Sequence, residues 1–258
     1  MEYALITGAS KGIGKALAYE LAKRGYNLVI TARSKELLSK LAEDIANKHG
    51  VVVHSHPIDL TEEGAPKRLA YWCTVNEYRL KILVNNAGFG LWGSFDKLPL
   101  NEQLNSMNLN MTALVSLSHH LIPNLKKNKK SYILNVASVA SFLAIPSFSI
   151  YAATKSFVLS FSRSLHRELA RKGIVVSCVC PGATESEFLE RAGMTSLGKA
   201  ADTFGMSAES VAEIAVKGML KGKVEIVPGL INKVAAGVLK LTPRGVSEKV
   251  AGKIYSKR

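Results

Sequence analysis

Cysteine is scarce: Cys73, Cys178 and Cys180 are the whole complement, an odd number without the spacing of a disulfide framework or a cysteine metal site. Two of them lie in "VVSCVCPG", an apolar run in which cysteine acts as a small buried residue. Long hydrophobic runs are also missing, and no apolar stretch reaches the ~18 residues that a membrane-spanning helix needs. The first apolar run already begins at Tyr3, and no cleavable leader is expected. A cytoplasmic, reducing setting is therefore expected. Linkers rich in glycine or serine are lacking, as are repeats of about 20–50 residues, which favours one domain. The histidine pairs His54/His56 and His119/His120 have no carboxylate or cysteine to complete a ligand set, so no metal site is expected. Acidic residues are in deficit, 20 against 34 Lys and Arg, for a formal net charge of +14. The densest basic run, "KKNKK" at 126–130, has no aromatics interleaved with it, as single-stranded nucleic acid would require. It reads as a solvated loop, and no nucleic-acid partner is expected.

What is present is an alternation. Apolar, β-branched runs at 3–7, 27–32, 51–56, 81–84, 131–136, 174–180 and 224–227 are separated by helical patterns near 12–24, 35–48, 61–78, 101–127, 151–171 and 207–221. Strands that read as continuous apolar runs are covered on both faces. The expectation is an α/β fold, a doubly wound parallel sheet of Rossmann type with about seven strands and helices on both faces. It occupies residues 1–228. The stretch 183–206 is the longest between periodic segments and reads as a lid. Residues 229–258 stand outside the pattern.

Between the first strand and the first helix lies "TGASKGIG", with Gly8, Gly12 and Gly14. Glycines there let the backbone turn tightly against a pyrophosphate, whose charge the N-terminus of the helix favours. A site specific for NAD places an acid at the end of the second strand. None occurs from Leu21 to Lys35; the strand ends "TARSK", offering Arg33 and Lys35, with Lys11 in the glycine loop. A guanidinium suits the 2′-phosphate of NADP, so NADP(H) is expected in preference to NAD(H).

In "SIYAATKSF", Tyr151 and Lys155 stand four apart and share one face of a helix. An ammonium at ~4 Å with an effective dielectric of ~20 would favour the phenolate by about 4 kcal/mol, an upper bound of roughly three pKa units. That predicts a tyrosine brought towards neutrality, where a general acid is most useful.

These features together resemble the short-chain dehydrogenase/reductase family over residues 3–228: "TGASKGIG", "NNAG" at 85–88, Asp59 in "IDL", Ser138 thirteen residues before Tyr151, Tyr151-x-x-x-Lys155, and "PG" at 181–182 followed by Thr184. The resemblance implies catalytic roles for Ser138, Tyr151, Lys155 and Asn110, with Asn108 a competitor for the last. It implies cofactor contacts from Gly8, Ser10, Lys11, Gly12, Ile13, Gly14, Arg33, Asp59, Leu60, Asn86, Ala87, Gly88, Tyr151, Lys155, Pro181, Gly182 and Thr184. The implied reaction interconverts a small-molecule carbonyl and its alcohol, in a homodimer or homotetramer joined through helices 101–127 and 151–171. The family's sugar-nucleotide epimerase branch shares Tyr-x-x-x-Lys but usually differs in its glycine turn. From another class, an NADP-binding sensor or membrane-surface scaffold without turnover would have no need of Ser138, Tyr151 and Lys155 together.

Apolar segments at 89–95, 141–148 and in the lid (Phe188, Leu189, Met194, Phe204, Met206) suit a hydrophobic ketone such as a 3-oxoacyl chain or a steroid, or else simply pack the lid or a subunit interface. The helical pattern at 229–241 gathers Leu230, Ile231, Val234, Val238 and Leu241 on one face. Basic amphipathic helices lie on anionic membranes, and they also cover a protein's own body or a neighbouring subunit. Contact with a membrane surface and cover for the protein both stand as expectations for this segment.

Overall fold

The fold is described from a computed structural model, over residues 1–184, 192, 205–242, 245 and 248. Seven parallel strands make one sheet in the order β3-β2-β1-β4-β5-β6-β7. They are β1 (Tyr3–Thr7), β2 (Asn27–Ala32), β3 (Val53–Pro57), β4 (Leu80–Asn85), β5 (Ser131–Val136), β6 (Ile174–Val179) and β7 (Glu225–Ile226). The helices are α1 (Gly12–Lys23), α2 (Lys35–His49), α3 (Ala65–Val75), α4 (Leu100–Met107), α5 (Leu114–Leu125), α6 (Ser149–Leu169), α7 (Ala208–Leu220) and α8 (Leu230–Leu241). This is the doubly wound, Rossmann-type α/β architecture expected.

The continuous apolar runs have a simple cause. Successive side chains of a strand point to opposite faces, and each face is roofed by helices. Ala4 and Ile6 of β1, with Ile82 and Val84 of β4, pack under α1, α2 and α7. Leu5 and Leu83, from the same strands, pack under α3, α5 and α6. Between the roofs a buried polar line crosses the sheet: Asn85 Nδ2 donates to Ser118 Oγ (2.9 Å) and Asn135 Oδ1 (2.8 Å), and Asn135 Nδ2 donates to Ser162 Oγ (2.9 Å). Each group is paired, as burial requires.

Two predicted helices differ from what is found. The pattern at 61–78 yields only Ala65–Val75, because Gly64 turns into the left-handed region (φ +70°) and Pro66 fits the first turn of the helix that follows. The pattern at 101–127 is broken by a π-helical segment, Asn108–Ala113, between α4 and α5. Single-turn π segments often re-aim a side chain at a functional site.

Strand order reverses between β1 and β4, in the middle of the sheet. Ligands of open α/β sheets bind outside the carboxyl ends of the strands at this switch. The glycine turn follows β1 and "NNAG" begins at the end of β4, so the topology alone brings them side by side.

Candidate active site

The glycine turn is built for close approach. Gly8 and Gly12 hold positive φ (+64° and +52°). A Cβ on Gly14 would lie 2.2 Å from Gly8 O and 2.4 Å from Asn86 Nδ2. The turn is latched to "NNAG" by Thr7, whose Oγ1 accepts from the backbone N–H groups of Asn86 and Ala87 (3.0 Å each), and by Asn86 Nδ2, which donates to Thr7 O (2.9 Å) and Gly8 O (3.1 Å). The first turn of α1 carries no acid, so nothing there opposes an anion at the helix N-terminus. This cradle fits the pyrophosphate of a dinucleotide.

Arg33 follows the last residue of β2 and is exposed; its Nη1 lies 3.9 Å from Asp59 Oδ2. Asp59 also accepts from Thr61 N (2.9 Å) and Thr61 Oγ1 (2.8 Å). The ion pair is long and open to solvent, which leaves the guanidinium free to take a stronger anion.

At the other half of the cleft, Ser138 follows β5 and Pro181–Gly182 follow β6. Ser138 Oγ accepts from Ala140 N (3.1 Å), capping the 3₁₀ turn Val139–Phe142. It also donates towards Pro181 O at 3.5 Å. Tyr151 sits in the first turn of α6, buried, and hydrogen-bonds Ser138. Its ring stacks on Phe148 at 4.4 Å between centroids. Lys155, one turn on and equally buried, holds its Nζ 5.6 Å from the Tyr151 ring centroid and donates to Val136 O (2.8 Å). Gly88 admits this neighbour, since a Cβ there would lie 3.4 Å from Lys155 Nζ and 2.7 Å from Asn110 Oδ1.

The π segment carries Asn110 into contact with Phe89 and with Thr154 of α6. Asn110 Oδ1 accepts from Phe89 N (3.1 Å), and its Nδ2 donates to Phe89 O (2.9 Å) and Thr154 Oγ1 (3.0 Å). Asn108 instead donates to Thr61 O (2.9 Å), away from the tyrosine. Asn110, Ser138, Tyr151 and Lys155 are thus gathered with Gly88 and Pro181.

The electrostatics differ from the expectation. Burial pushes the Tyr151 phenol up to about 12, partly opposed by the Ser138 hydrogen bond. Burial also pulls Lys155 down to about 8. The predicted lowering of Tyr151 weighs only the attraction of Lys155, whereas both members of the pair lose water and desolvation is the largest influence on each.

Three further positions carry the arrangement. Thr7, the first residue of "TGASKGIG", latches the turn, Thr154, between Tyr151 and Lys155, ties Asn110 to α6, and Ser141 Oγ donates to Lys155 O (2.9 Å). The motifs contain the two threonines without disclosing these bonds, and nothing in the sequence marks Ser141 as a partner of Lys155. Of the apolar segments, Ile145 and Phe148 are buried against Tyr151 and Ala192 with Trp92 and Leu143 alongside, whereas Phe95 is exposed. Thr184 pairs with Met206, so the two ends of the expected lid meet; Phe188, Leu189, Met194 and Phe204 lie outside the described residues. His54 and His56 stack on Tyr78 and Trp72. Among the described residues no cluster of His, Cys, Asp or Glu could hold a metal, and no helix is long and apolar enough to cross a membrane.

Residues 2–196 match the family model for short chain dehydrogenase. The chain belongs to this family. Its members include relatives such as sulfoacetaldehyde reductase 2 of Chromohalobacter salexigens, 34% identical over 81% of this chain and 85% of the relative. The mouse very-long-chain 3-oxoacyl-CoA reductase is 31% identical over 80% of this chain and 67% of its own length. Among solved structures, a short-chain dehydrogenase from Sphingobium yanoikuyae in complex with NADPH superposes with a TM-score of 0.82 at 31% identity, covering 95% of this chain and 97% of that one. The chain is accordingly an oxidoreductase of the short-chain dehydrogenase family, acting on CH–OH donors or the corresponding carbonyls.

Proposed function

We propose that the protein is an NADP(H)-dependent reductase of an apolar ketone, a 3-oxoacyl chain or steroid-like compound, and that Asn110, Ser138, Tyr151 and Lys155 are its catalytic residues. The observation that carries the reading is the buried contact of Tyr151 with Ser138 and Lys155 beside Gly88 and Asn110. The glycine cradle, Asp59, Leu60 and the segment Pro181–Thr184 hold the cofactor, and a nicotinamide dinucleotide is supported by the Sphingobium relative's complex with NADPH. A nicotinamide, when bound, supplies hydride to the carbonyl carbon. Ser138 and the Tyr151 hydroxyl hydrogen-bond the carbonyl oxygen, and Tyr151 gives it a proton as negative charge develops. Lys155 keeps a positive charge beside the phenol, offsetting the charge Tyr151 acquires. Asn110, fixed on both sides by Phe89, orders the way by which Lys155 exchanges protons with solvent.

The pKa directions favour reduction. Tyr151 stays protonated up to about 12 and Lys155 stays charged up to about 8, so both are in the required form at neutral pH. Reductase kcat should hold level from neutrality and decline as pH rises through about 8, the point at which Lys155 gives up its proton. A profile still flat at pH 10 would separate Lys155 from the chemistry.

Apolar substrate choice is supported by Trp92, Leu143, Ile145 and Phe148 around Tyr151 and by the 3-oxoacyl-CoA reductase among the relatives. The test is a titration of NADPH and NADH followed by nicotinamide fluorescence, then a panel of hydrophobic ketones and 3-oxoacyl thioesters. NADPH oxidation by a panel member supports the reading, and tight binding without any turnover refutes it. In the same titration Arg33→Ser should weaken NADPH by about 10–100-fold, the loss of a charge-assisted hydrogen bond, and leave NADH unchanged. Equal losses for both cofactors would dissociate Arg33 from the 2′-phosphate.

A homodimer or homotetramer joined through α4, α5 and α6 belongs to the same proposal; Leu100, Leu104 and Phe157 on those helices are exposed.

A further inference from the structure

Helix α8 is turned inside out relative to an ordinary surface helix. Its apolar residues Leu230, Ile231, Val234, Val238 and Leu241 are 77%, 70%, 58%, 56% and 88% exposed. The side that meets the protein is carried by Asn232, Ala236 and the half-buried Leu239. Ala236 is buried against Val158, Cys180 and Val227, and Asn232 donates to Pro228 O (2.9 Å) and fills the space that a Cβ on Gly182 would need. The helix cannot roll its apolar face inward without stripping Ala236 and Asn232 of these contacts. The expectation that this face covers the body is therefore not met.

We propose that α8 seats the protein on an anionic lipid surface. Amphipathic helices of this kind lie in the interface plane with the apolar face sunk ~5–10 Å. Charge decides the occupant. Residues 229–258 carry Lys233, Lys240, Arg244, Lys249, Lys253, Lys257 and Arg258 against Glu248 alone, within a chain of net charge +14. Lys233 is exposed on α8, and at ~100° per residue it falls on the flank between the apolar and docked faces. That is where a long cationic side chain reaches lipid headgroups while the apolar face goes under. Each basic residue near such a surface strengthens partitioning about fivefold. A second copy of the chain would bring the same basic segment against itself. It would also gain little area from a stripe about 18 Å long, set against the ~800 Å² per partner of a stable interface.

The experiment is co-sedimentation of the full chain with phosphatidylcholine vesicles, with and without phosphatidylglycerol, and sedimentation velocity without lipid. Two double variants accompany the wild type: V234E with V238E, and K233E with K240E. None of these side chains has a role in the proposed catalytic or cofactor machinery, so melting temperature and NADPH titration should match the wild type. The expected result is binding to the anionic vesicles, little to phosphatidylcholine alone, and a partition coefficient lowered about tenfold or more by each pair. Pelleting that V234E with V238E leaves unchanged overturns the proposal, as does absence of binding or equal binding to both vesicles. A dimer that dissociates in V234E with V238E, with vesicle binding unaltered, overturns it in favour of self-association. Because cofactor binding is read on the same samples, failure here is distinguishable from failure of the reductase reading.

Discussion

Tyr151→Phe should lower kcat for ketone reduction by about 10²–10⁴-fold, the usual range for removing a general acid, with NADPH affinity and melting temperature nearly unchanged. The substitution keeps the ring, its stack on Phe148 at 4.4 Å and its place in the buried cluster with Ile145 and Ala152. It removes one hydroxyl, which hydrogen-bonds Ser138. Ser138 Oγ retains its bond from Ala140 N and its approach to Pro181 O, so the serine is not orphaned. The loss should therefore fall on kcat and spare binding, the pattern of an interaction made in the transition state. Wild-type turnover in the phenylalanine variant, measured with saturating NADPH, would eliminate Tyr151 as the proton donor.

How much of this was legible depended on whether the signal was local. Strand positions were readable because a sheet roofed on both faces demands unbroken apolar runs, and alternate residues such as Ile82 and Leu83 serve opposite roofs. The meeting of "TGASKGIG" with "NNAG" was readable from motifs, but the bonds that fasten them were not. Thr7 opens the first motif, and its role shows only where Asn86 and Ala87 point their N–H groups at it. The π segment was invisible because six residues of re-registered backbone leave the helical apolar pattern of α4 and α5 intact. "KKNKK" hides another case: its asparagine is buried and closes the foot of the sheet, donating to Leu80 O at 2.8 Å and accepting from Arg79 Nε at 2.9 Å. In α8 the periodicity gave the right face and could not say which way it points. Orientation belongs to long-range contacts such as Asn232 with Gly182.

The same distinction separates Gly14 from Gly237 and sets the sign of two substitutions. Gly14→Ala should destabilise the fold and weaken NADPH binding together. Its Cβ would meet Gly8 O at 2.2 Å and Asn86 Nδ2 at 2.4 Å, and neither can yield. The first is backbone in a turn held at φ +64°, and the second is pinned by bonds to Thr7 O and Gly8 O. Relief requires α1 to move off the turn, and that helix N-terminus is the part of the cradle that meets the pyrophosphate. Overpacking of this kind costs about 1–3 kcal/mol or more, which for a chain of this size lowers the melting temperature by several degrees. Gly237→Ala, by contrast, meets nothing within 4 Å and sits inside α8, so replacing a helical glycine there should stabilise by about 0.5–1 kcal/mol. Thermal melting of the two variants with and without NADPH reads both signs at once. In Gly14→Ala the cofactor-induced rise in melting temperature should shrink, because a weaker ligand stabilises less by mass action, whereas in Gly237→Ala it should match the wild type. A Gly14→Ala protein that melts like the wild type and gains as much from NADPH would mean that the turn and α1 are not packed as closely as Gly8, Gly14 and Asn86 imply.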